Sequence, residues 1–158
     1  MITKLASKEN TGNIGMAVLD MAGHLIRRLH QQSTSIFVQR ARAAGYDLTP
    51  VQFAALDAIS THPGKDQAGI AEIIGYDRAT IGGVITRLET KGWISRVVSE
   101  RDRRGRELTL TTKGKRILSA LHPIVQDLQK DILQPLSAAE REAFISLARQ
   151  VVLHSMTP

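Results

Sequence analysis

The chain has 158 residues, about the length of a single compact domain. It is 42% hydrophobic and 23% charged, which excludes global disorder, and it has no cysteine, which excludes disulfides, thiol redox chemistry and thiolate metal sites. No segment approaches the roughly 18 apolar residues of a membrane span, and no basic segment leads into an apolar one as in a signal peptide. We therefore expect a soluble, cytoplasmic protein.

The positive charge is concentrated in one internal segment. The chain carries 21 Lys and Arg against 15 Asp and Glu, a formal charge of +6. Residues 76–116 contain eleven of these cations and five of the anions, so the whole excess lies there and the rest of the chain is neutral. A block of like charges often forms only a solvated face. An entire excess held in one segment favours a surface that neutralises nucleic-acid phosphates.

The N-terminal part predicts a flexible arm followed by a long helix. Residues 1–12 are polar and aperiodic, whereas apolar residues recur at steps of three and four from about Asn13 to Ala44. Gly45 follows, as is common after a helix C-terminus. A helix of roughly 30 residues would be about 45 Å long. Because one small domain cannot cover such a helix, we expect it to pack partly against a second chain.

Three short helices are predicted between residues 49 and 92. They begin at the capping residues Thr49, Asp66 and Asp77, and the second and third end at Gly75 and Gly92. In the third helix, four apolar residues are predicted to face inward: Ile81, Val84, Ile85 and Leu88. Seven residues are left for solvent or DNA: Arg78, Thr80, Gly82, Gly83, Thr86, Arg87 and Thr90.

The two adjacent glycines of this third helix need an explanation, because each costs about 1 kcal/mol relative to alanine inside a helix. One interpretation is close packing of Gly82 and Gly83 against another helix. The other is a surface trimmed so that the backbone can approach DNA. The sequence favours neither.

A hairpin and two further helices complete the pattern. Residues 93–98 and 107–110 predict two strands with a polar tip between them. The next helix begins near Thr111 or Thr112 and contains Pro123, which should kink it or divide it in two. The last helix begins with a capping box, Ser137 to Glu140. Its predicted inward residues are Phe144, Ile145, Leu147, Ala148, Val151 and Val152.

This order, α-α-α-α-β-β-α-α, predicts a mainly α fold with a small β-hairpin wing. Two short capped helices followed by a hairpin are typical of a winged helix-turn-helix. We expect this DNA-binding domain over residues 46–111. Residues 13–45 and 112–158 would form an interlocking helical dimerisation region.

Three segments resemble the multiple-antibiotic-resistance regulator (MarR) family of bacterial winged-helix repressors. They read GIAEIIG from Gly69, VITRLETKGWI from Val84 and ERDRRGRELTLTTKG from Glu100. The resemblance covers about residues 13–154. Trp93 departs from it, since the family more often has leucine there, and we expect this change to affect packing.

The resemblance implies a role for each matching residue. The helix from Arg78 to Lys91 would lie in the major groove and the wing would reach the minor groove with Arg104 at its tip, while Asp102 would shape the wing. The DNA-binding candidates are Arg78, Thr80, Thr86, Arg87, Arg103, Arg104 and Arg106. The long first helix and the last two would interlock with a second subunit. A homodimer would present two recognition helices to a palindromic operator.

The family commonly binds small anionic aromatic molecules between the dimerisation helices and the winged helix, and releases DNA in response. On the first predicted helix, Arg28 and His24 could pair with a ligand carboxylate, with Gln32 as a neutral partner. Alternatively, Arg28 and Gln32 form bonds across the dimer interface. His30 and His62 are weaker ligand candidates.

No feature indicates an enzyme, a cofactor or a metal. The chain has no nucleophile-elbow, dinucleotide, phosphate-loop or zinc-protease motif, and its five histidines are never four residues apart. The alternative to a DNA-binding regulator is a winged helix that serves as a protein-interaction module. Such a module has no reason to keep a basic wing with Arg104 at its tip.

Overall fold

The computed structural model describes residues 17–99 and 105–154. The predicted N-terminal arm lies outside these ranges. The described elements are a 3-10 helix (Ala17–Asp20), α1 (Ala22–Ala43), α2 (Pro50–Thr61), α3 (Gln67–Ile74), α4 (Arg78–Thr90), β1 (Ile94–Val98), β2 (Arg106–Leu110), α5 (Thr112–Ile132) and α6 (Ala138–His154). The predicted order and the mainly α winged helix-turn-helix architecture are confirmed.

The first long helix begins later than its apolar periodicity predicts. Residues 17–20 form the 3-10 helix, Met21 has extended backbone, and α1 begins at Ala22 and runs for 22 residues rather than roughly 30. Periodicity records which side of the chain is apolar, not where the backbone hydrogen bonds are continuous. Gly23 also weakens the first turn, since glycine disfavours helix. The C-terminus is as predicted, with Gly45 at φ +85°.

The three short helices form with the caps that the sequence predicts. The side chains of Thr49, Asp66 and Asp77 each accept a hydrogen bond from a backbone N–H three residues later. Gly75 and Gly92 follow α3 and α4 with φ of +70°, a conformation that glycine adopts without steric cost. The aspartate caps and the glycines therefore set where α3 and α4 begin and end.

One hydrophobic core joins five helices and the hairpin. Its fully buried side chains include Leu56, Ile70, Ile85, Leu108 and Leu121, one each from α2, α3, α4, β2 and α5, and Phe37 adds α1. The predicted inward set of α4 is confirmed, since all four residues are buried. α4 is thus fixed to the core along one side, and its other side is exposed.

The hairpin is antiparallel, with Ile94 opposite Leu110 and Val98 opposite Arg106. Beyond the last pair, the Ser99 N–H donates to the Gly105 carbonyl at 3.1 Å. These contacts define a wing whose predicted tip, residues 100–104, lies outside the described residues.

α5 is one continuous helix across Pro123, so of the two predicted outcomes, a kink or a division, the division into two segments does not occur. Proline removes the N–H that would bond to the carbonyl of Ser119, four residues earlier. Both residues are exposed, and water can satisfy that carbonyl. The helix therefore tolerates the lost hydrogen bond.

α6 has the predicted capping box but not the predicted burial. The Ser137 N–H donates to the Glu140 carboxylate at 2.8 Å, and the Glu140 N–H donates back to the Ser137 hydroxyl at 3.4 Å. No side chain of α6 is buried. The residues expected to face inward are exposed, from 38% at Phe144 to 69% at Val151. The apolar face exists, but none of the residues that the structure describes covers it.

Candidate nucleic-acid interface

The N-terminus of α4 is held by a double contact between Asp77 and Thr80. The Thr80 N–H donates to one carboxylate oxygen of Asp77 at 2.8 Å, and the Thr80 hydroxyl donates to the other at 2.5 Å. The side-chain hydrogen bond from Thr80, followed by its backbone hydrogen bond, lowers the pKa of Asp77 below its ordinary value of 3.8. The Thr80 hydroxyl is therefore engaged in the cap.

The outer face of α4 carries the other predicted DNA-contacting residues. Arg78, Thr86 and Arg87 are all exposed. Within the described residues, neither arginine forms an ion pair, so both guanidinium groups are available to phosphates or base edges. The Thr86 hydroxyl donates to the Gly82 carbonyl of its own helix at 3.0 Å.

The two glycines of α4 differ in their surroundings. A Cβ on Gly82 would lie 3.3 Å from Nε2 of Gln67, the first residue of α3, so this position favours close packing. A Cβ on Gly83 would meet nothing within 4 Å. Each of the two sequence interpretations thus fits one glycine: Gly82 lies against a neighbouring helix, and Gly83 leaves the outer face open.

The wing is attached to α4 by an ion pair. Arg96 of β1 lies 3.3 Å from the Glu89 carboxylate of α4. Arg106, at the start of β2, is exposed. The remaining predicted wing residues, Asp102, Arg103 and Arg104, lie outside the described part of the chain, and their roles stay predictions.

Lys91 and Trp93, just after α4, form a structural contact that the sequence did not identify. The Lys91 ammonium donates to the Asp47 carbonyl and lies 4.7 Å from the centre of the Trp93 ring. Lys91 therefore connects the end of α4 to the segment between α1 and α2. Trp93, the residue that departs from the family pattern, is buried and supplies the ring. One cation of the basic segment is thus used inside the fold.

A cleft of about 430 Å³ lies between α1, α2 and α4. We call it the α1–α4 cleft. Its walls include His30 and Thr34 of α1, Val51 of α2, and Thr80, Gly83 and Arg87 of α4. An apolar floor with an imidazole and a guanidinium on its walls can accept a small ring with an anionic substituent. His30, a weaker candidate in the sequence, and Thr34, which the sequence did not indicate, are therefore the α1 residues on this cleft.

The three sequence-predicted ligand residues lie elsewhere on α1. Arg28 and Gln32 line a groove of about 560 Å³ whose walls all come from α1 itself, so it is one-sided in the single chain. His24 is half-buried, and its Nε2 atom is buried without a hydrogen-bond partner among the described residues. None of the three reaches the α1–α4 cleft.

Residues 17–99 and 105–154 contain no helix long and apolar enough to cross a bilayer. The same ranges hold no group of three or more His, Asp or Glu side chains that could bind a metal ion.

Comparison with known proteins identifies the family. A model described as the MarR family matches residues 46–105. The transcriptional regulator HosA of Escherichia coli is 33% identical over 137 residues, which cover 87% of this chain and 98% of HosA. The transcriptional repressor NicR of Pseudomonas putida is 32% identical over 85% of this chain and 84% of its own.

A solved structure gives the same answer. The structure of BpsR from Bordetella bronchiseptica matches with a TM-score of 0.77 and 28% identity over 84% of this chain and 94% of its own. DNA binding by BpsR is regulated by 6-hydroxynicotinic acid. The match covers both the helix-turn-helix and the flanking helices. The chain belongs to the MarR family of DNA-binding transcriptional regulators.

Proposed function

We propose that the protein is a repressor that binds a palindromic operator as a homodimer and is released by a small aromatic or phenolic carboxylate. The observation that carries this proposal is the uncovered apolar face of α6, because it calls for a second subunit. The repressor role is also supported by the similarity to NicR, which is a transcriptional repressor.

The homodimer is argued from two exposed apolar surfaces at the ends of the chain. One is the face of α6 that contains Phe144, Ile145, Leu147, Val151 and Val152. The other consists of Val18, Leu19, Met21, Leu25 and Ile26, before and within the first turns of α1. Soluble monomers rarely expose contiguous apolar surfaces of this extent. A second copy brings the same faces and would bury both about a two-fold axis.

Two matched substitutions test whether a second copy of the chain packs on the apolar face of α6. Val151→Glu adds a charge to the apolar face, whereas Ser146→Glu adds the same charge on the opposite side of the helix. Light scattering at micromolar concentration should give a dimer for the wild type and Ser146→Glu, and a monomer for Val151→Glu. A dimer that survives Val151→Glu would contradict this arrangement.

DNA binding is proposed through α4 in the major groove and the wing in the minor groove. Arg78, Thr86 and Arg87 would contact base edges or phosphates, and Arg103, Arg104 and Arg106 would anchor the wing. The affinity for a palindromic duplex should fall as the salt concentration rises. In a plot of log K against log salt concentration, the slope should be about −0.9 for each phosphate neutralised. Arg104→Ala should lose affinity, mostly where A·T pairs flank the half-sites. A nearly flat salt response would contradict the proposal.

The effector is proposed to bind in the α1–α4 cleft. BpsR is regulated by 6-hydroxynicotinic acid, an aromatic carboxylate. A ring of this class would lie between Val51 and the backbone at Gly83, with its carboxylate toward His30 and Arg87. Because Arg87 also belongs to the proposed DNA-contacting set, an occupant of the cleft would compete for it with phosphate.

Arg28 and Gln32 fit the subunit interface better than the effector site. Their groove is one-sided in the single chain, and a second subunit would supply the missing wall.

A further inference from the structure

The threonines of α4 have already used their hydroxyl protons. Thr80 donates to the Asp77 carboxylate at 2.5 Å, Thr86 donates to the Gly82 carbonyl at 3.0 Å, and Thr90 donates to the Thr86 carbonyl at 2.9 Å. A threonine hydroxyl has one proton. None of the three therefore has a proton left for a base edge without breaking a hydrogen bond of the helix.

The centre of the outer face of α4 consequently presents methyl groups and hydroxyl acceptors, but no free threonine donor. Thr86 is exposed, and its hydrogen bond to the preceding turn leaves its methyl group free of the backbone. Ala79, two turns earlier on the same face, is also exposed. Gly83 lies between them without a side chain. The remaining side-chain donors of α4 are Arg78, in its first turn, and Arg87, at the edge of the α1–α4 cleft.

We propose that α4 recognises thymine 5-methyl groups, with the Thr86 methyl as the main contact and Ala79 as the second. Thymine is the only unmodified base that presents a methyl group in the major groove, and apolar contact with it is an established means of direct readout. The proposal rests on the placement of α4 in the major groove under the proposed function. It specifies the readout chemistry: burial of methyl groups rather than hydrogen bonds from threonine.

The probe is a duplex that the full-length protein enriches from a randomised library. Each thymine of that duplex is replaced in turn by deoxyuridine, which keeps the base pair and the minor groove and removes only the 5-methyl group. One or two positions in each half-site should lose about fourfold in Kd, the change expected for one buried methyl group. The other thymines should change by less than about twofold.

Two conservative variants assign the contact to Thr86. Thr86→Val keeps a methyl group and lacks the hydroxyl, so it should keep the preference for thymine over deoxyuridine at the sensitive position. Thr86→Ser keeps the hydroxyl and lacks the methyl group, so its preference there should fall to about one, with an unchanged Tm. If the hydroxyl reads the base instead, the wild type will bind thymine and deoxyuridine equally at that position, and Thr86→Val rather than Thr86→Ser will lose affinity.

The outcomes separate this inference from the function on which it rests. A duplex that binds equally well with thymine and deoxyuridine overturns the methyl readout and leaves operator binding intact. A library that yields no enriched duplex overturns both.

Discussion

Gly114 is the residue at which an added methyl group meets the closest backbone contact among the glycines whose surroundings the structure describes. It is the third residue of α5, and a Cβ there would lie 1.9 Å from the carbonyl oxygen of Trp93 and 2.9 Å from the carbonyl carbon. Both atoms are backbone, so no side chain can rotate away. We expect Gly114→Ala to destabilise the protein because α5 or the start of the wing must move.

The magnitude follows from the contacts that this movement disturbs. Overpacking a close contact costs about 1–3 kcal/mol. Displacement of α5 also strains two hydrogen bonds, from the Thr111 N–H to the Trp93 carbonyl at 3.0 Å and from the Thr111 hydroxyl to the Gly92 carbonyl at 2.7 Å. Each contributes about 1 kcal/mol. Because alanine favours helix by up to about 1 kcal/mol, the expected net loss is about 2–4 kcal/mol.

Gly83→Ala is the matched control, since a Cβ there meets nothing within 4 Å and the position is helical. This variant should be as stable as the wild type or more stable, by up to about 1 kcal/mol. Urea unfolding at one fixed protomer concentration measures both, because association makes apparent stability concentration-dependent. If Gly114→Ala unfolds within 1 kcal/mol of the wild type, the close contact with Trp93 does not control packing at this junction.

Two further predictions concern the cap of α4 and the effector. The pKa of Asp77 is lowered, so the stabilisation that its carboxylate gives the cap is present above pH 3.8 and is lost as pH falls through the folded-state pKa. An NMR titration of this carboxylate should give a pKa below 3.8, and Thr80→Ala should raise that pKa. For the effector, His30→Ala should increase the benzoate concentration needed for operator release by about tenfold, the worth of one charge-assisted hydrogen bond. Arg28→Ala should instead weaken the dimer and leave release by benzoate unchanged; the reverse pattern would place the ligand at Arg28.

Local signals predicted the helix-turn-helix well because its elements are determined by local chemistry. Asp66 and Asp77 each accept a hydrogen bond from the backbone N–H three residues later, which has no partner within the helix. Gly75 and Gly92 supply the left-handed backbone that follows a helix. The four inward residues of α4 follow from its helical period alone. None of these inferences requires knowledge of the rest of the chain.

The predicted burial of the α6 side chains was wrong because burial depends on what lies across from a residue. The periodicity of α6 correctly gave an apolar face, but a pattern cannot say whether the same chain covers it, and Val151 is 69% exposed. For α1, a helical wheel places Gln32 in the middle of the apolar arc and Arg28 on its border, and a ligand-binding role for either residue stays a prediction. The residues that face the α1–α4 cleft are His30 and Thr34, since the positions of α2 and α4 decide which side of α1 forms a wall.

The arrangement of α1 explains how an effector could act on DNA binding in this chain. α1 is fixed to α2 by the contact of Phe37 with Phe53, whose ring centres are 6.0 Å apart. It is fixed to α5 by Arg40, which lies 2.5 Å from Asp127 and 3.1 Å from Asp131. Its His30 end, by contrast, faces α4 across an open cleft.

A ligand in that cleft would therefore lie between α1 and α4, the helix proposed to read the operator. It can release DNA only if it binds more tightly to the arrangement of α4 that does not fit the operator. A tenfold shift in the equilibrium between the two arrangements of α4 requires the ligand to bind one of them about 1.4 kcal/mol more tightly than the other. One hydrogen bond between a carboxylate and Arg87 can provide this difference. Because Arg87 lies both on the cleft and in the proposed DNA-contacting set, that same bond would withdraw a cation from the operator as it forms.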